Sequence, residues 1–179
     1  MRIFVYGGSC CGKSEFAESL IMRDPSPSRV YIATMEVYDG ESVRRVERHR
    51  RMRAEKGFAT VEAQRELAAA ARLVPEGSAV LLECLGNLSA NELFPPSGER
   101  TAEETAELVT GGLLELEKRC SLLVSVSNDI FSGDGSYGGG TLRYCGALGA
   151  INRWAAERAD LVYEVVCGIP VLIKGEDLT

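Results

Sequence analysis

Short apolar runs and longer amphipathic stretches alternate along the chain. Ile3 to Tyr6 is a β-rich run ending at two glycines, and Lys13 to Met22 follows with Phe16, Ala17, Leu20 and Ile21 at helical spacing. This predicts a strand, a loop and a helix. A second β-rich run, Arg29 to Ala33, follows the breakers Pro25, Ser26, Pro27 and Ser28 and leads into a charged helical stretch from about Gly40 to Lys56. Phe58 to Val61 is a short strand candidate and Gln64 to Leu73 an alanine-rich helix. Ser78 to Cys84 is a nearly uniform apolar run carrying an acid, Glu83, at its end, a pattern that suits a strand buried on both faces.

Thr101-Ala102-Glu103-Glu104 has the form of a capping box and opens a helix predicted to reach about Arg119, weakened by Gly111 and Gly112. Leu122 to Val126 predicts another buried strand. Ser132 to Gly140 holds five glycines in nine residues and predicts a loop without regular structure, followed by a helix over Thr141 to Arg158. Leu161 to Val166 and Val171 to Lys174 predict a terminal hairpin turning around Gly168, Ile169 and Pro170. The alternation gives an α/β fold, with a mostly parallel central sheet flanked by helices and an antiparallel C-terminal edge. Phe94 to Thr101, with two prolines and a glycine, reads as a surface loop because the pattern resumes on both sides. A length of 179 residues therefore predicts one domain, 1–179.

Charge changes this picture at one place. The formal net charge is -6, which argues against general nucleic-acid binding. Residues 44–53 hold six arginines against one acid, Glu47, so that segment carries +5 and the rest of the chain -11. The six cysteines form no CxxC pair and share the chain with one histidine, which gives no ordinary zinc-ligand spacing. No apolar run approaches a membrane span of ~20 residues, and Met1-Arg2 leads straight into a strand too short for a signal segment. These features predict a cytoplasmic chain with reduced thiols and no membrane partner.

The strongest chemical signal is Gly7-Gly8-Ser9-Cys10-Cys11-Gly12-Lys13-Ser14, which fits G-x-x-x-x-G-K-[ST] and lies between a predicted strand and a predicted helix. Such glycines let backbone N–H groups turn inward around a phosphate, and the helix N-terminus adds partial positive charge. Lys13 is then expected on the β and γ phosphates, and Ser14 on Mg²⁺. Glu83, at the end of a buried strand, stands where such folds place an acid near the metal; as a bare sequence feature it also reads as a simple strand-end charge. Cys10 and Cys11 are either two small reduced side chains or a vicinal disulfide.

His49 is the only histidine, with Arg48 and Arg50 beside it and Arg45 and Arg53 at i−4 and i+4. Nearby cations disfavour the imidazolium form, and a neutral imidazole among phosphate-binding arginines is suited to attack phosphorus. The residues alone leave open a solvated basic helix, or a nucleic-acid patch lacking interleaved aromatics.

Several segments together resemble one family, the bifunctional adenosylcobinamide kinase and adenosylcobinamide-phosphate guanylyltransferases of cobalamin biosynthesis. These are GGSCCGKS at 7–14, VYIAT at 30–34, RVERHRRMR at 45–53, FATVE at 58–62, LLECLGNLSANELF at 81–94 and VVCGIPVLIKG at 165–175, with Thr141, Tyr144, Leu148, Gly149 and Asn152 matching a helix pattern. The resemblance implies a RecA-like P-loop NTPase fold, a homotrimer, and His49 as the residue that becomes guanylylated. It further implies that Gly7, Gly8, Ser9, Cys10, Cys11, Gly12, Lys13, Ser14, Thr34, Met35, Glu36, Arg50, Arg51, Met52, Arg53, Glu62 and Glu83 line the nucleotide site, with Lys13 and His49 catalytic and Ser14 and Glu83 on Mg²⁺. GTP or ATP and the corrinoid adenosylcobinamide are the implied partners. Two departures stand out: Cys10-Cys11 replaces the family's usual Arg-Ser, and Asn128-Asp129-Ile130-Phe131 its Asn-Glu-Val-Gly. Besides the bifunctional enzyme, the sequence is compatible with a P-loop small-metabolite kinase lacking a covalent intermediate, and with a nucleotide-binding regulatory module.

Overall fold

Apolar runs too short for helices pair into one sheet. In a computed structural model describing residues 1–36, 56–131 and 138–176, the strands are β1 (Arg2–Gly7), β2 (Arg29–Ala33), β3 (Phe58–Glu62), β4 (Ser78–Glu83), β5 (Cys120–Asn128), β6 (Leu161–Val166) and β7 (Ile169–Lys174). They lie in the order β3-β2-β4-β5-β1-β6-β7, parallel except for the β6–β7 pair. The helices are α1 (Lys13–Arg23), α2 (Leu67–Ala71), α3 (Leu85–Leu93), α4 (Ala102–Glu117) and α5 (Gly139–Arg158).

Strand alternation splits the apolar residues between two faces. Phe4, Ile32, Val80, Leu82, Leu123 and Val162 meet Leu67, Leu85, Leu88, Leu113, Leu116, Leu148 and Ile151 of α2 to α5. Ile3, Val5, Leu81, Leu122, Val124 and Val126 meet Ala17 and Ile21 of α1 on the other face. Register then aligns the carboxyl ends of the strands: Ala33 pairs with both Glu62 and Glu83, Glu83 with Val126, and Gly7 with Asn128. Open parallel sheets bind ligands along this edge.

Three expectations change. The alanine-rich helix shrinks to Leu67–Ala71 because the chain before it is bonded elsewhere: Asn91 Nδ2 donates to Gln64 O (2.9 Å), Arg65 Nε to Asn91 O (2.8 Å), and Glu66 N–H to Glu92 Oε1 (2.6 Å). Tertiary bonds thus outweigh local propensity. α5 begins at Gly139, not Thr141, with Leu142 N–H donating to Gly138 O (3.0 Å); the two glycines extend the hydrogen-bonded ladder of a long helix. The terminal hairpin turns on Cys167 and Gly168 alone, both at positive φ (50° and 83°), the two-residue turn that matches strand twist. Ile169 and Pro170 are therefore strand residues, and Pro170 is tolerated because β7 is an edge. The predicted helix around 40–56 lies almost wholly outside the described residues, as does 132–137 of the glycine-rich loop. Among the described residues, no helix is long and apolar enough to cross a membrane.

Candidate nucleotide site

β1 delivers the chain to the carboxyl edge at Gly7, and the loop from Gly8 to Gly12 turns it back into α1. Gly7 is required by space: a Cβ there would lie 2.6 Å from Val165 O and 2.8 Å from Cys11 Sγ. Cys10 (φ 56°) and Gly12 (φ 89°) adopt the left-handed conformation, which bends the loop into a concave turn. Gly12 is the N-cap of α1 and brings no side chain to it, so first-turn N–H groups remain for an anion. Lys13 is 8% exposed, and its Nζ donates to Gly8 O at 2.9 Å, bridging its own loop.

The structure brings Ser14 and Glu83 together across 69 positions of sequence: Ser14 Oγ donates to Glu83 Oε1. The second carboxylate oxygen accepts from Tyr31 Oη at 3.0 Å. Thr34, fully buried, fixes the strand end beside them. Its Oγ1 donates to Cys84 O (2.9 Å) and accepts from Cys84 N–H (2.7 Å), and its own N–H donates to Glu83 O (3.2 Å). Met35 is half-buried, Glu36 pairs with Arg65, and Glu62 accepts from Gln64 Nε2 (3.2 Å) on the neighbouring strand end. His49, Arg50, Arg51, Met52 and Arg53 lie outside the described residues.

Side chains to which the sequence assigned no role in the site complete this corner. Tyr31 entered only as part of the β-rich run Arg29 to Ala33 and of the VYIAT segment; its reach to Glu83 depends on the β2–β4 register. Cys84 caps α3, its Sγ accepting from Asn87 N–H at 3.4 Å, and burial pushes its thiol up from the ordinary range. Burial likewise raises Tyr144 to about 12, keeping the phenol neutral, and its Oη donates to Gly86 O at 3.3 Å. All six cysteines, Cys10 and Cys11 among them, are free in the structure.

A hydroxyl and a carboxylate meeting beside a phosphate loop form an oxygen pair of the type that small hard divalent cations accept. Mg²⁺ is usually held by one or two protein oxygens and completed by phosphates and water, so the donor set fits.

The model for the family described as cobinamide kinase / cobinamide phosphate guanyltransferase matches residues 3–173. Over 179 aligned residues the chain is 34% identical to the bifunctional adenosylcobalamin biosynthesis protein CobP of Pseudomonas aeruginosa, covering 99% of this chain and 100% of that one. It is 32% identical to the bifunctional CobU proteins of Salmonella typhimurium and Escherichia coli, each covering 97% of this chain and 100% of the relative. Among solved structures it resembles a prototypical type III secretion ATPase (TM-score 0.54, 13% identity, 91% of this chain and 51% of that one). It also resembles the flagellar accessory protein FlaH of Methanocaldococcus jannaschii (TM-score 0.50, 11% identity, 98% and 78%). These two likenesses concern the fold alone, that of a P-loop NTPase.

Proposed function

The chain belongs to the cobinamide kinase / cobinamide phosphate guanyltransferase family, and on that premise we propose that it performs both reactions, phosphorylating adenosylcobinamide and then guanylylating the product. The observation that carries the first reaction is the bond of Ser14 Oγ to Glu83 beside a loop that Lys13 Nζ bridges through Gly8 O. A nucleoside triphosphate, ATP or GTP, lies in the loop with its γ-phosphate toward Lys13. The corrinoid's terminal hydroxyl attacks that phosphorus, the bond to the β–γ bridging oxygen breaks, and the nucleoside diphosphate leaves. Lys13 exchanges its bond to Gly8 O for phosphate oxygens. Ser14 and Glu83 would hold Mg²⁺, which would supply charge neutralisation to the triphosphate.

The second reaction rests on His49. A neutral imidazole nitrogen attacks the α-phosphorus of GTP, pyrophosphate leaves, and a guanylyl group is held on the ring by a P–N bond. A phosphate oxygen of adenosylcobinamide phosphate then attacks the same phosphorus and releases the histidine, giving adenosylcobinamide-GDP. Arg50, Arg51 and Arg53 neutralise phosphate charge around it, while Thr34 positions the neighbouring Glu83–Cys84 strand end. The family resemblance further supports a homotrimer of one-domain chains working in the cytoplasm.

The test is incubation with α-labelled GTP and Mg²⁺. The expected result is an acid-labile label on the protein that is absent from His49→Ala. Cobinamide-stimulated phosphate transfer without any label would leave a kinase lacking the covalent step. If neither occurs, the enzymatic reading fails and a regulatory nucleotide-binding module takes its place.

A further inference from the structure

Three of the six cysteines belong to one junction, where the phosphate loop touches the terminal hairpin: Cys10 and Cys11 in the loop, Cys167 in the turn. Gly168 N–H donates to Cys11 O at 2.8 Å, and a Cβ on Gly12 would lie 3.2 Å from Gly168 Cα. The Cα atoms of Cys11 and Cys167 each stand two covalent bonds from one end of that hydrogen bond, so they lie within about 7.6 Å of each other. The Cys11 side chain is turned toward the end of β6. The position a Cβ would take on Gly7 is 2.8 Å from Cys11 Sγ and 2.6 Å from Val165 O, two residues before Cys167.

Exposure divides the pair. Cys167 is exposed in the turn at φ 50°, whereas Cys11 is half-buried against the core that holds Ala17 and Val165. An oxidant reaches the open thiol first, and a shielded thiol beside it can resolve the product. The phosphoryl and guanylyl chemistry uses neither sulfur.

We propose that Cys11 and Cys167 are a thiol modification site: oxidation joins them in a disulfide that ties the phosphate loop to the hairpin turn and weakens nucleotide binding, and reduction releases it. The effect on binding rests on the reading of the loop as a triphosphate site; the bridge itself does not. With hydrogen peroxide as oxidant, deprotonated Cys167 Sγ attacks one peroxide oxygen. An S–O bond forms, the O–O bond breaks, and the departing hydroxide takes a proton to become water. Cys11 Sγ, deprotonated in turn, attacks the sulfenic sulfur; the S–S bond forms, the S–O bond breaks, and a second water leaves. The two thiols lose two electrons and the peroxide gains them. A disulfide spans roughly 4.4–6.8 Å between Cα atoms, which falls inside the limit set by the Gly168–Cys11 bond. Cys10 and Cys11 are the poorer pair, because a trans peptide sets neighbouring Cα atoms about 3.8 Å apart, short of that range. Bridging draws Cys11 Sγ from beside Gly7 and clamps the loop one residue before the N-cap of α1. A triphosphate needs the N–H groups there and needs Lys13 to leave Gly8 O, so a clamped loop holds it less well.

The test treats the full chain with hydrogen peroxide, maps a non-reducing digest by mass spectrometry, and measures affinity for Mg²⁺-ATP by calorimetry before oxidation, after it, and after dithiothreitol. The expected result is a peptide pair joined through Cys11 and Cys167, ATP affinity about tenfold weaker or more, and recovery on reduction. Cys167→Ser and Cys167→Gly should yield no such peptide and keep their ATP affinity under the same treatment; glycine suits the positive φ of the turn and guards against a folding defect. Cys10→Ser should still lose affinity relative to its own reduced form.

The proposal is overturned if no cross-link forms or if it joins Cys10 to Cys11. It is overturned equally if Cys167→Gly loses affinity on oxidation as the unaltered chain does, since a single loop thiol is then the sensitive group. A bridge that forms while ATP affinity holds would make the disulfide a structural link without effect on binding, and also overturns it. A reduced chain that binds no Mg²⁺-ATP sinks the triphosphate reading and the effect on binding with it, whatever the peptide map shows.

Discussion

Glu83 shows how one side chain comes to matter through its neighbours. Its two oxygens are divided between Ser14 and Tyr31, so the carboxylate is oriented before any ligand arrives. Preorganisation of this kind lowers the cost of assembling a metal–phosphate site. Replacing Glu83 by Gln keeps the size and removes the charge, and should reduce phosphoryl transfer about a hundredfold or more while raising the Mg²⁺ concentration needed for half activity. Ser14→Ala should act in the same direction. Because the two groups work as a unit, the double variant should be scarcely worse than the more damaging single one. Additive losses measured as kcat against Mg²⁺ concentration would separate them and remove the shared metal role. Tyr31→Phe should cost far less, because it frees one carboxylate oxygen without changing its charge.

At the scale of the helix, α4 carries two adjacent glycines with opposite consequences. Thr101 and Glu104 form the capping box their sequence predicts, Thr101 Oγ1 accepting from Glu104 N–H at 3.1 Å and Glu104 Oε2 from Thr101 N–H at 2.8 Å. Gly111 faces open space, whereas a Cβ at Gly112 would sit 2.6 Å from Leu67 Cβ and 3.1 Å from Ala68 N. Helix propensity alone favours alanine at both positions by roughly 0.5–1 kcal/mol. Contact reverses this at Gly112, where α2 crosses closely. Gly111→Ala should therefore stabilise the fold by about that amount, while Gly112→Ala should destabilise it by about 1–3 kcal/mol through overpacking. Urea unfolding of the two variants decides the matter, and equal shifts of the same sign would show that α2 yields freely. The cap was legible in sequence because it is local. The meaning of Gly112 was not, since it depends on Leu67, 45 positions away.

Across the whole molecule the same division holds. The parallel sheet and its antiparallel edge could be read from runs of apolar residues, and the phosphate loop from a motif whose spacing is its mechanism. What could not be read was register: that Ala33 stands between Glu62 and Glu83, that Tyr31 reaches Glu83, and that the terminal hairpin docks on Cys11. Charge is the remaining global property, and it is legible without coordinates. The chain outside residues 44–53 carries -11, which repels a nucleoside triphosphate, and those ten residues carry +5. Long-range attraction of this kind is screened over ~10 Å at 0.1 M salt. Raising salt from about 0.05 to about 0.5 M should therefore raise the KM for GTP several-fold with a smaller change in kcat. Arg44→Gln, at a position neither assigned to the nucleotide site nor counted among the cations around His49, should weaken that dependence and leave kcat unchanged. If the KM is insensitive to salt in the unaltered enzyme, the arginines act only at contact distance, and the asymmetry of charge plays no part in capture.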